Sequence, residues 1–448
     1  MPGILHMPNT LDKKPQIAQQ AEPDVRGWPT WTVIMMIIGY AGYYLCRSHF
    51  SVAKPLILDE FKSVGVNKAS LGVIAAWATL FYAGGKFLFG SLADILGGRR
   101  MFLLGMAGAI IFTILFGAGG PPLFLVAWIG NRFIQASGWV GMVKITSRWF
   151  GHSVYGRVMG FISLSYLFGD FLSRVFLSEL ITQKVGWRSI FYISAAVLAL
   201  ILIPTYVVIR DRPSDRGLPE PAENPDSLFD PAAKTDERPR LLDLLVPLLS
   251  SPTFWIVCVL SFGFTFMRET FNDWTPTYLH EAAGMPTDDA GRASSLFPLF
   301  GGFSVIAMGF LSDKLGRAGR ALLIAGGLAI GTIGLLALSS GGLKGQTGLV
   351  VGLVATIAFV LIGPYSLLAG AISLGFGGKK GSATAAGWID GIGYIGGILS
   401  GNLIGSVAEH QGWDPAFHIL AITAGISCVV SLVYWFLERE RKVAVLSS

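Results

Sequence analysis

The chain alternates between long apolar stretches and short polar ones from about residue 31 to residue 437. A helix needs about 20 predominantly apolar residues to cross a bilayer. Twelve stretches come close to that length, at residues 31–53, 69–93, 101–118, 122–146, 154–182, 188–209, 252–280, 292–311, 321–339, 347–373, 382–406 and 414–437. The pattern therefore predicts an all-α membrane protein with twelve transmembrane helices.

The polar segments divide the chain into parts. Residues 211–247 are rich in Pro, Asp, Glu and Arg and predict a linker between two six-helix halves, residues 27–210 and 248–440. The polar ends, residues 1–26 and 441–448, are predicted tails, and the first lacks the apolar core of a cleaved signal peptide. Lys and Arg concentrate in loops on one side, which predicts cytoplasmic termini. We also expect a location in the cell inner membrane.

Composition changes this picture little. Of 448 residues, 52% are hydrophobic and 14% are charged, whereas soluble domains carry about 25% charged residues. The charge of +6 is spread over short loops, so nucleic-acid binding is not expected. Cys46, Cys258 and Cys428 lie in apolar stretches without metal-ligand spacing and are predicted to be packing residues. We find no nucleotide-binding glycine loop and no nucleophile–base pair, so neither enzymatic activity nor a cofactor is expected.

A short motif occurs at equivalent places in the two halves. The sequence GSLADILGGRR follows the second stretch and GFLSDKLGRAGR follows the eighth. Their acids, Asp94 and Asp313, stand at helix ends, where they could pair with the nearby cations or cap a neighbouring helix. Those cations are Arg99, Arg100 and Arg317. The repeated motif resembles that of the major facilitator superfamily, whose halves rock about a central site. The resemblance implies that these five residues form conformational gates.

Two arginines lie inside predicted spans, Arg47 in the first half and Arg268 at the matching place in the second. A charge within hydrocarbon is costly and is usually functional. A guanidinium presents a planar fork to phosphate oxygens, so two from opposite halves could hold one anion. The alternatives are that Arg47 extends to the membrane interface or pairs with a helix carboxylate, and that Arg268 pairs with Glu269.

The sequences around these arginines resemble the organophosphate:phosphate antiporter family, typified by bacterial glycerol-3-phosphate and hexose-phosphate transporters. The resemblance covers residues 27–440 and includes GKF at 85–87, GW at 138–139 and GSATAAG at 381–387. In that family the two arginines bind phosphate. The resemblance also implies substrate contacts at Lys86 and at Tyr43 or Tyr44.

Other positions depart from that family. Tyr166 stands where a histidine is expected, so it either contacts the substrate or packs as an aromatic residue. Asp390 is an acid in the eleventh stretch without a cation nearby in sequence, and we expect it in the substrate site. Arg132 and the pair Asp170 and Arg174 are further charges within spans. They are candidates for proton coupling, although Asp170 and Arg174 could simply pair one turn apart.

These observations favour a secondary transporter that exchanges an organophosphate for inorganic phosphate by alternating access. Two like charges in an empty site should resist closure, so we expect obligatory exchange. A proton-coupled symporter of an organic anion such as a sugar acid, and a membrane sensor of sugar phosphate, remain alternatives. The expected partners are a small anionic substrate and the lipid bilayer, and a monomer is expected. The sequence does not specify which organic group the phosphate carries.

Overall fold

The first half consists of six helices that cross the membrane in alternating directions. The structure, a computed structural model, describes residues 27–225, 227–229, 239–342 and 345–447; the predicted tail 1–26 and part of the predicted linker lie outside them. The helices are α1 (Trp28–Phe61), α2 (Lys68–Leu96), α3 (Gly98–Ala118), α4 (Pro121–Trp149), α5 (Tyr155–Thr182) and α6 (Trp187–Val208).

The second half begins after a short helix at the end of the linker. That helix is α7 (Leu241–Leu249), and it is followed by α8 (Pro252–Glu281), α9 (Thr287–Ser294), α10 (Leu296–Leu338), α11 (Thr347–Leu367), α12 (Ser373–Leu399), α13 (Gly405–Gln411) and α14 (Trp413–Ser447). Two π-helical segments, Leu368–Ile372 and Ser400–Ile404, connect α11 to α12 and α12 to α13. Helix α14 continues into the predicted tail 441–448.

Two of these helices each contain a break at glycine. Helix α10 has 43 residues, about 65 Å at 1.5 Å per residue, which is twice the thickness of a bilayer. At Gly316 the backbone takes φ 65° and ψ −166°, a conformation that only glycine adopts readily. Helix α12 breaks in the same way at Gly378, where φ is 52°. Each break lies between two predicted spans, so the chain turns back across the membrane at both.

The surface of the helix bundle suits lipid. Eight helical segments of the described residues are long and apolar enough to cross a membrane, and two of these segments contain the breaks. Helices α1 and α4 are not among the eight, and both carry charged residues that are candidates for the site. Large aliphatic side chains such as Leu200, Ile333 and Val429 are more than 60% exposed on the outside of the bundle. The exterior of the bundle is thus apolar, and the backbone N–H and C=O groups of the helices form their hydrogen bonds within each helix, as a bilayer requires.

The halves meet along two pairs of helices whose backbones touch at glycines. In the pair α2 and α12, a Cβ on Gly90 would lie 2.7 Å from the Ala383 carbonyl oxygen. In the pair α5 and α10, a Cβ on Gly156 would lie 2.6 Å from the Gly309 carbonyl oxygen. Small residues permit such close approach of membrane helices. Both contacts lie towards the membrane side that carries the α2–α3 loop and the linker, which we call the linker side.

Candidate functional site

A cavity lies between the halves, roughly midway along the helices. Helices α1, α2, α4 and α5 line it from one half, and α8, α11 and α12 line it from the other. Six of its lining residues are tyrosines, namely Tyr40, Tyr44, Tyr82, Tyr166, Tyr365 and Tyr394. Three others carry charge, namely Lys86, Arg268 and Asp390. The cavity therefore combines aromatic walls with hydroxyl donors and cations, a lining suited to a small polar anion.

Arg47 is held beside the cavity by neutral groups. It follows Cys46, whose backbone departs from helical geometry (φ −86°, ψ 15°). Gln135 donates from Nε2 to the Cys46 carbonyl at 2.9 Å and accepts from Arg47 Nε at 3.2 Å. The guanidinium also donates to the hydroxyls of Tyr44 at 3.2 Å and Tyr82 at 3.3 Å. In the part of the chain that the structure describes, no carboxylate pairs with Arg47.

Arg268 lines the cavity directly and has a different environment. Its guanidinium forms an ion pair with the carboxylate of Glu269, the next residue on α8. It also donates to the Tyr394 hydroxyl at 3.5 Å and lies 4.6 Å from the centroid of the Tyr365 ring. Its Nε is buried and has no hydrogen-bond partner among the described residues. Within the described residues, Arg268 thus has an internal counter-anion and one unpaired donor, whereas Arg47 has no counter-anion.

Two tyrosines stand between the arginines. The rings of Tyr82 and Tyr394 meet edge to face with centroids 4.9 Å apart. Tyr82 contacts Arg47, and Tyr394 contacts Arg268. The structure therefore connects the two arginines through an aromatic pair from opposite halves, and an anion shared by both guanidinium groups would have to enter beside that pair.

Lys86 and Asp390 form an ion pair across the two halves. The Lys86 Nζ lies 2.8 Å from Asp390 Oδ2, and both side chains are at least 90% buried. The Lys86 Nζ also lies 5.1 Å from the centroid of the Tyr82 ring. The cation for Asp390, which its local sequence does not supply, is provided by α2. This pair keeps both charges in the cavity wall while neutralising them.

The three tyrosines predicted for the site lie in different surroundings. Tyr43 points away from the cavity and donates to the Phe102 carbonyl at 2.5 Å. Tyr44 lines the cavity, so it is the tyrosine of α1 that could contact a substrate. Tyr166 also lines the cavity, next to Trp139. Its hydroxyl is buried without a hydrogen-bond partner among the described residues, which leaves it free for a ligand.

The charges considered for proton coupling do not form one group. The Arg132 guanidinium lies 4.5 Å from the centroid of the Tyr82 ring, close to Arg47. Asp170 instead accepts from the Ser48 hydroxyl at 2.6 Å and pairs with Arg174 at 2.8 Å. The Asp170 and Arg174 side chains are 36% and 53% exposed and do not line the cavity. They match the simple pairing that we considered as the alternative.

Asp94 caps a helix of the opposite half. It accepts hydrogen bonds at 2.7 Å from the backbone N–H and from the hydroxyl of Thr384, just after the break in α12. Lys144 lies 2.7 Å from the same carboxylate and donates at 2.6 Å to the Lys379 carbonyl. Asp94 is therefore the centre of a buried contact that joins the halves on the linker side.

Asp313 makes the equivalent contact from the second half. It accepts from the backbone N–H groups of Gly156 at 2.7 Å and Arg157 at 2.9 Å, at the start of α5. The Arg157 side chain adds an ion pair at 3.1 Å. Of the two arrangements open from the sequence, the capping of a neighbouring helix is present at both motifs.

The arginines predicted to accompany these acids bind elsewhere. The Arg99 side chain donates at 2.7 Å to the Ile209 carbonyl, at the end of α6. Arg317 pairs with Glu438 of α14 at 2.9 Å, and Arg100 is exposed. The cations in contact with the gate acids are Lys144 and Arg157, which sequence reasoning missed, and Arg320 of the second motif, whose Nη2 lies 3.8 Å from Asp313 Oδ1.

Sequence reasoning also missed the cavity residues Tyr82, Tyr394 and Tyr365, and Gln135, which accepts a hydrogen bond from Arg47. One signal was available, because Tyr82 precedes Lys86 by four positions and Tyr394 follows Asp390 by four. Residues four apart share a helix face. A buried charge on a membrane helix therefore indicates further site residues one turn before and after it on the same face.

Two six-helix halves, joined along paired glycines around one polar cavity, define the class of protein as a membrane transporter fold. Residues 36–401 match the family model described as Major Facilitator Superfamily, and the chain belongs to that superfamily. The predicted architecture of twelve membrane helices in two halves is confirmed. The chain is an integral, multi-pass membrane protein.

Among curated proteins, relatives of similar length align over most of the chain. The glycerol-3-phosphate transporter of Bacillus subtilis is 27% identical, covering 90% of each chain. The probable hexose phosphate transport protein of Chlamydia trachomatis is 27% identical, covering 91% of each. The membrane sensor protein UhpC of Escherichia coli is 25% identical over 93% of this chain and 94% of that one.

Solved structures show the same fold at lower sequence similarity. The crystal structure of the human organic anion transporter MFSD10 aligns with a TM-score of 0.70 and 14% identity, covering 89% of this chain and 98% of that one. At this identity the likeness concerns the arrangement of helices and not the substrate.

Proposed function

We propose that this protein is a secondary transporter that exchanges an organophosphate, either glycerol-3-phosphate or a sugar phosphate, for inorganic phosphate. The observation that carries the proposal is the environment of Arg47. Its guanidinium lies within a membrane helix, beside a cavity, and its hydrogen bonds go to neutral groups on Tyr44, Tyr82 and Gln135. A cation in such a place is costly unless an anion completes its coordination. The relatives named as glycerol-3-phosphate and hexose phosphate transporters point to the same ligand class.

In this proposal the phosphate lies between the halves and receives hydrogen bonds from Arg47 and Arg268. Both guanidinium groups already touch the Tyr82–Tyr394 pair, so the phosphate takes the place of those tyrosine contacts. The hydroxyls of Tyr44 and Tyr166 add neutral donors, while Lys86 and Asp390 define the wall beside the organic group. Charge-assisted bonds from guanidinium are among the strongest that a phosphate can accept.

Transport then follows from relative movement of the halves. The Asp94 and Asp313 caps hold the linker side closed, and rocking of the halves would release both contacts together because they are related by the internal repeat. We place the linker side in the cytoplasm, together with both termini, and the protein in the inner membrane. The excess of Lys and Arg on that side supports this orientation.

Exchange of phosphate in proteoliposomes tests the proposal. Vesicles loaded with phosphate receive labelled phosphate outside, and the wild type is compared with Arg47→Lys and Arg268→Lys. A lysine keeps the charge but loses the planar fork, so we expect each variant to lose at least tenfold in exchange. Arg188→Lys is the matched control, because Arg188 pairs with Glu60 far from the cavity and should retain wild-type exchange.

The outcomes separate the candidate functions. Competition by unlabelled glycerol-3-phosphate, hexose 6-phosphates, phosphoglycerate and sugar acids identifies the substrate class. Full exchange activity in both lysine variants would contradict the two-arginine site. A folded wild type that shows no exchange with any phosphate would contradict the proposed function.

Two other functions are tested by the same vesicles. The relative UhpC is a membrane sensor, so substrate binding without any flux would favour a sensor. Asp390 lines the cavity, and uptake that depends on an imposed proton gradient and prefers a sugar acid would favour the proton-coupled symporter.

A further inference from the structure

The two arginines of the cavity differ in how their charges are balanced. Arg47 hydrogen-bonds to neutral groups, whereas Arg268 forms an ion pair with Glu269. The cation Lys86 has its own partner in Asp390, at 2.8 Å. An anion that binds Arg47 therefore meets no competing carboxylate from the described residues, while an anion that binds Arg268 must displace or share the carboxylate of Glu269.

The Glu269 carboxylate is placed so that it can move. Its side chain is 24% exposed and that of Arg268 is 12% exposed. Among the described residues, Arg268 is the hydrogen-bond donor to this carboxylate. Adjacent residues of a helix point about 100° apart, so the pair forms only while the Glu269 side chain bends towards Arg268. Nothing else in the described part of the cavity fixes the carboxylate there.

We propose that Glu269 is an internal counter-anion, which occupies Arg268 while the cavity is empty and gives way to the phosphate group of the substrate. This inference rests on the proposed function, since it assumes that Arg268 binds phosphate. It identifies Glu269 as a residue that sets phosphate affinity, because part of the binding energy is used to displace an existing ion pair.

The same carboxylate changes the transport cycle. If neither guanidinium group had a counter-anion, their repulsion would resist closure of an empty cavity. Only the substrate-bound protein would then change between its two conformations. With Glu269 on Arg268, one of those charges is already neutralised and the empty carrier can close. This inference, in place of obligatory exchange, predicts measurable net movement of phosphate down its gradient.

The test compares exchange with net flux in the same proteoliposomes. Vesicles containing labelled phosphate are diluted into buffer with phosphate, which reports exchange, and into buffer without it, which reports net efflux. We expect the wild type to show both. In Glu269→Gln we expect net efflux to fall at least tenfold relative to exchange. The purified variant should bind labelled phosphate about tenfold more tightly, since a competing charged hydrogen bond is removed.

Two further variants complete the design. Glu281→Gln removes another carboxylate from α8, one that accepts from Trp413 Nε1 at 2.9 Å outside the cavity, and should behave as the wild type does. Glu269→Asp keeps the charge and should return net efflux towards the wild-type ratio. The Asp variant also provides a folded comparison if Glu269→Gln does not assemble.

Each outcome decides one question. An unchanged ratio of net efflux to exchange in Glu269→Gln overturns the inference and leaves the proposed function intact. Weaker phosphate binding in Glu269→Gln also overturns it, because Glu269 would then assist Arg268 instead of competing. A wild type without phosphate exchange or phosphate binding overturns the proposed function, and the inference with it.

Discussion

Removing the charge of Asp94 should open the linker side. In the closed arrangement Asp94 accepts two hydrogen bonds from Thr384, both at 2.7 Å, and these bonds cross from one half to the other. Hydrogen bonds to a charged acceptor contribute roughly 1.5–3 kcal/mol each. Asn at this position keeps one acceptor oxygen but no charge. We therefore expect the closed state to lose about 2 kcal/mol of stability relative to the open state, which shifts the equilibrium about thirtyfold towards the open state.

A cysteine at position 382 would report this opening. Ser382 is buried beside the cap, and its hydroxyl has no hydrogen-bond partner among the described residues, so Ser382→Cys is a mild change. In a background with Cys46, Cys258 and Cys428 replaced by Ala, a membrane-impermeant thiol reagent applied from the linker side should react slowly. Adding Asp94→Asn should raise the rate of modification by about thirtyfold, when that rate is proportional to the population of the open state.

The control for this experiment is Asp289→Asn, which makes the same chemical change at an exposed position on the opposite side of the membrane. It should leave the rate of modification unchanged. If Asp94→Asn also left the rate unchanged, in a protein of normal thermal stability, the cap would not be what holds the linker side closed. The repeat-related variant Asp313→Asn should act in the same direction as Asp94→Asn.

Two other perturbations have outcomes that the structure specifies. Gly90→Val should abolish exchange, because its Cβ would lie 2.7 Å from the Ala383 carbonyl oxygen and force α2 and α12 apart. Gly72→Val is the control on the same helix, and it should be tolerated because a Cβ there has nothing within 4 Å. Lys86→Met should lower the stability of the purified protein by about 3 kcal/mol, because it leaves Asp390 buried and unpaired. Adding Asp390→Asn should recover most of that stability, and thermal unfolding in detergent measures both effects. Equal losses in the single and double variants would show that the Lys86–Asp390 pair does not balance charge in the cavity wall.

The sequence by itself determined the number of membrane passes, the division into two halves and the place of the buried arginines. Each depends on local properties. The length of an apolar stretch decides whether the helix crosses the bilayer, and the position of a charged residue within that stretch decides how deep in the bilayer the charge lies. The repeated motif also located Asp94 and Asp313 at helix ends, because the same short sequence stands at the same place in both halves.

Only the tertiary structure decided which charges meet. Lys86 and Asp390 are 304 positions apart in the chain, and Asp94 reaches Thr384 over 290 positions. Such pairs depend on the rotation of each helix about its axis and on which helices become neighbours. Backbone contact at glycines fixes both of these, and a single sequence does not encode them locally. The adjacency of Arg268 and Glu269 in the sequence already offered Arg268 a counter-anion, whereas the neutral hydrogen-bond partners of Arg47 follow only from the packing of α1 against α2 and α4.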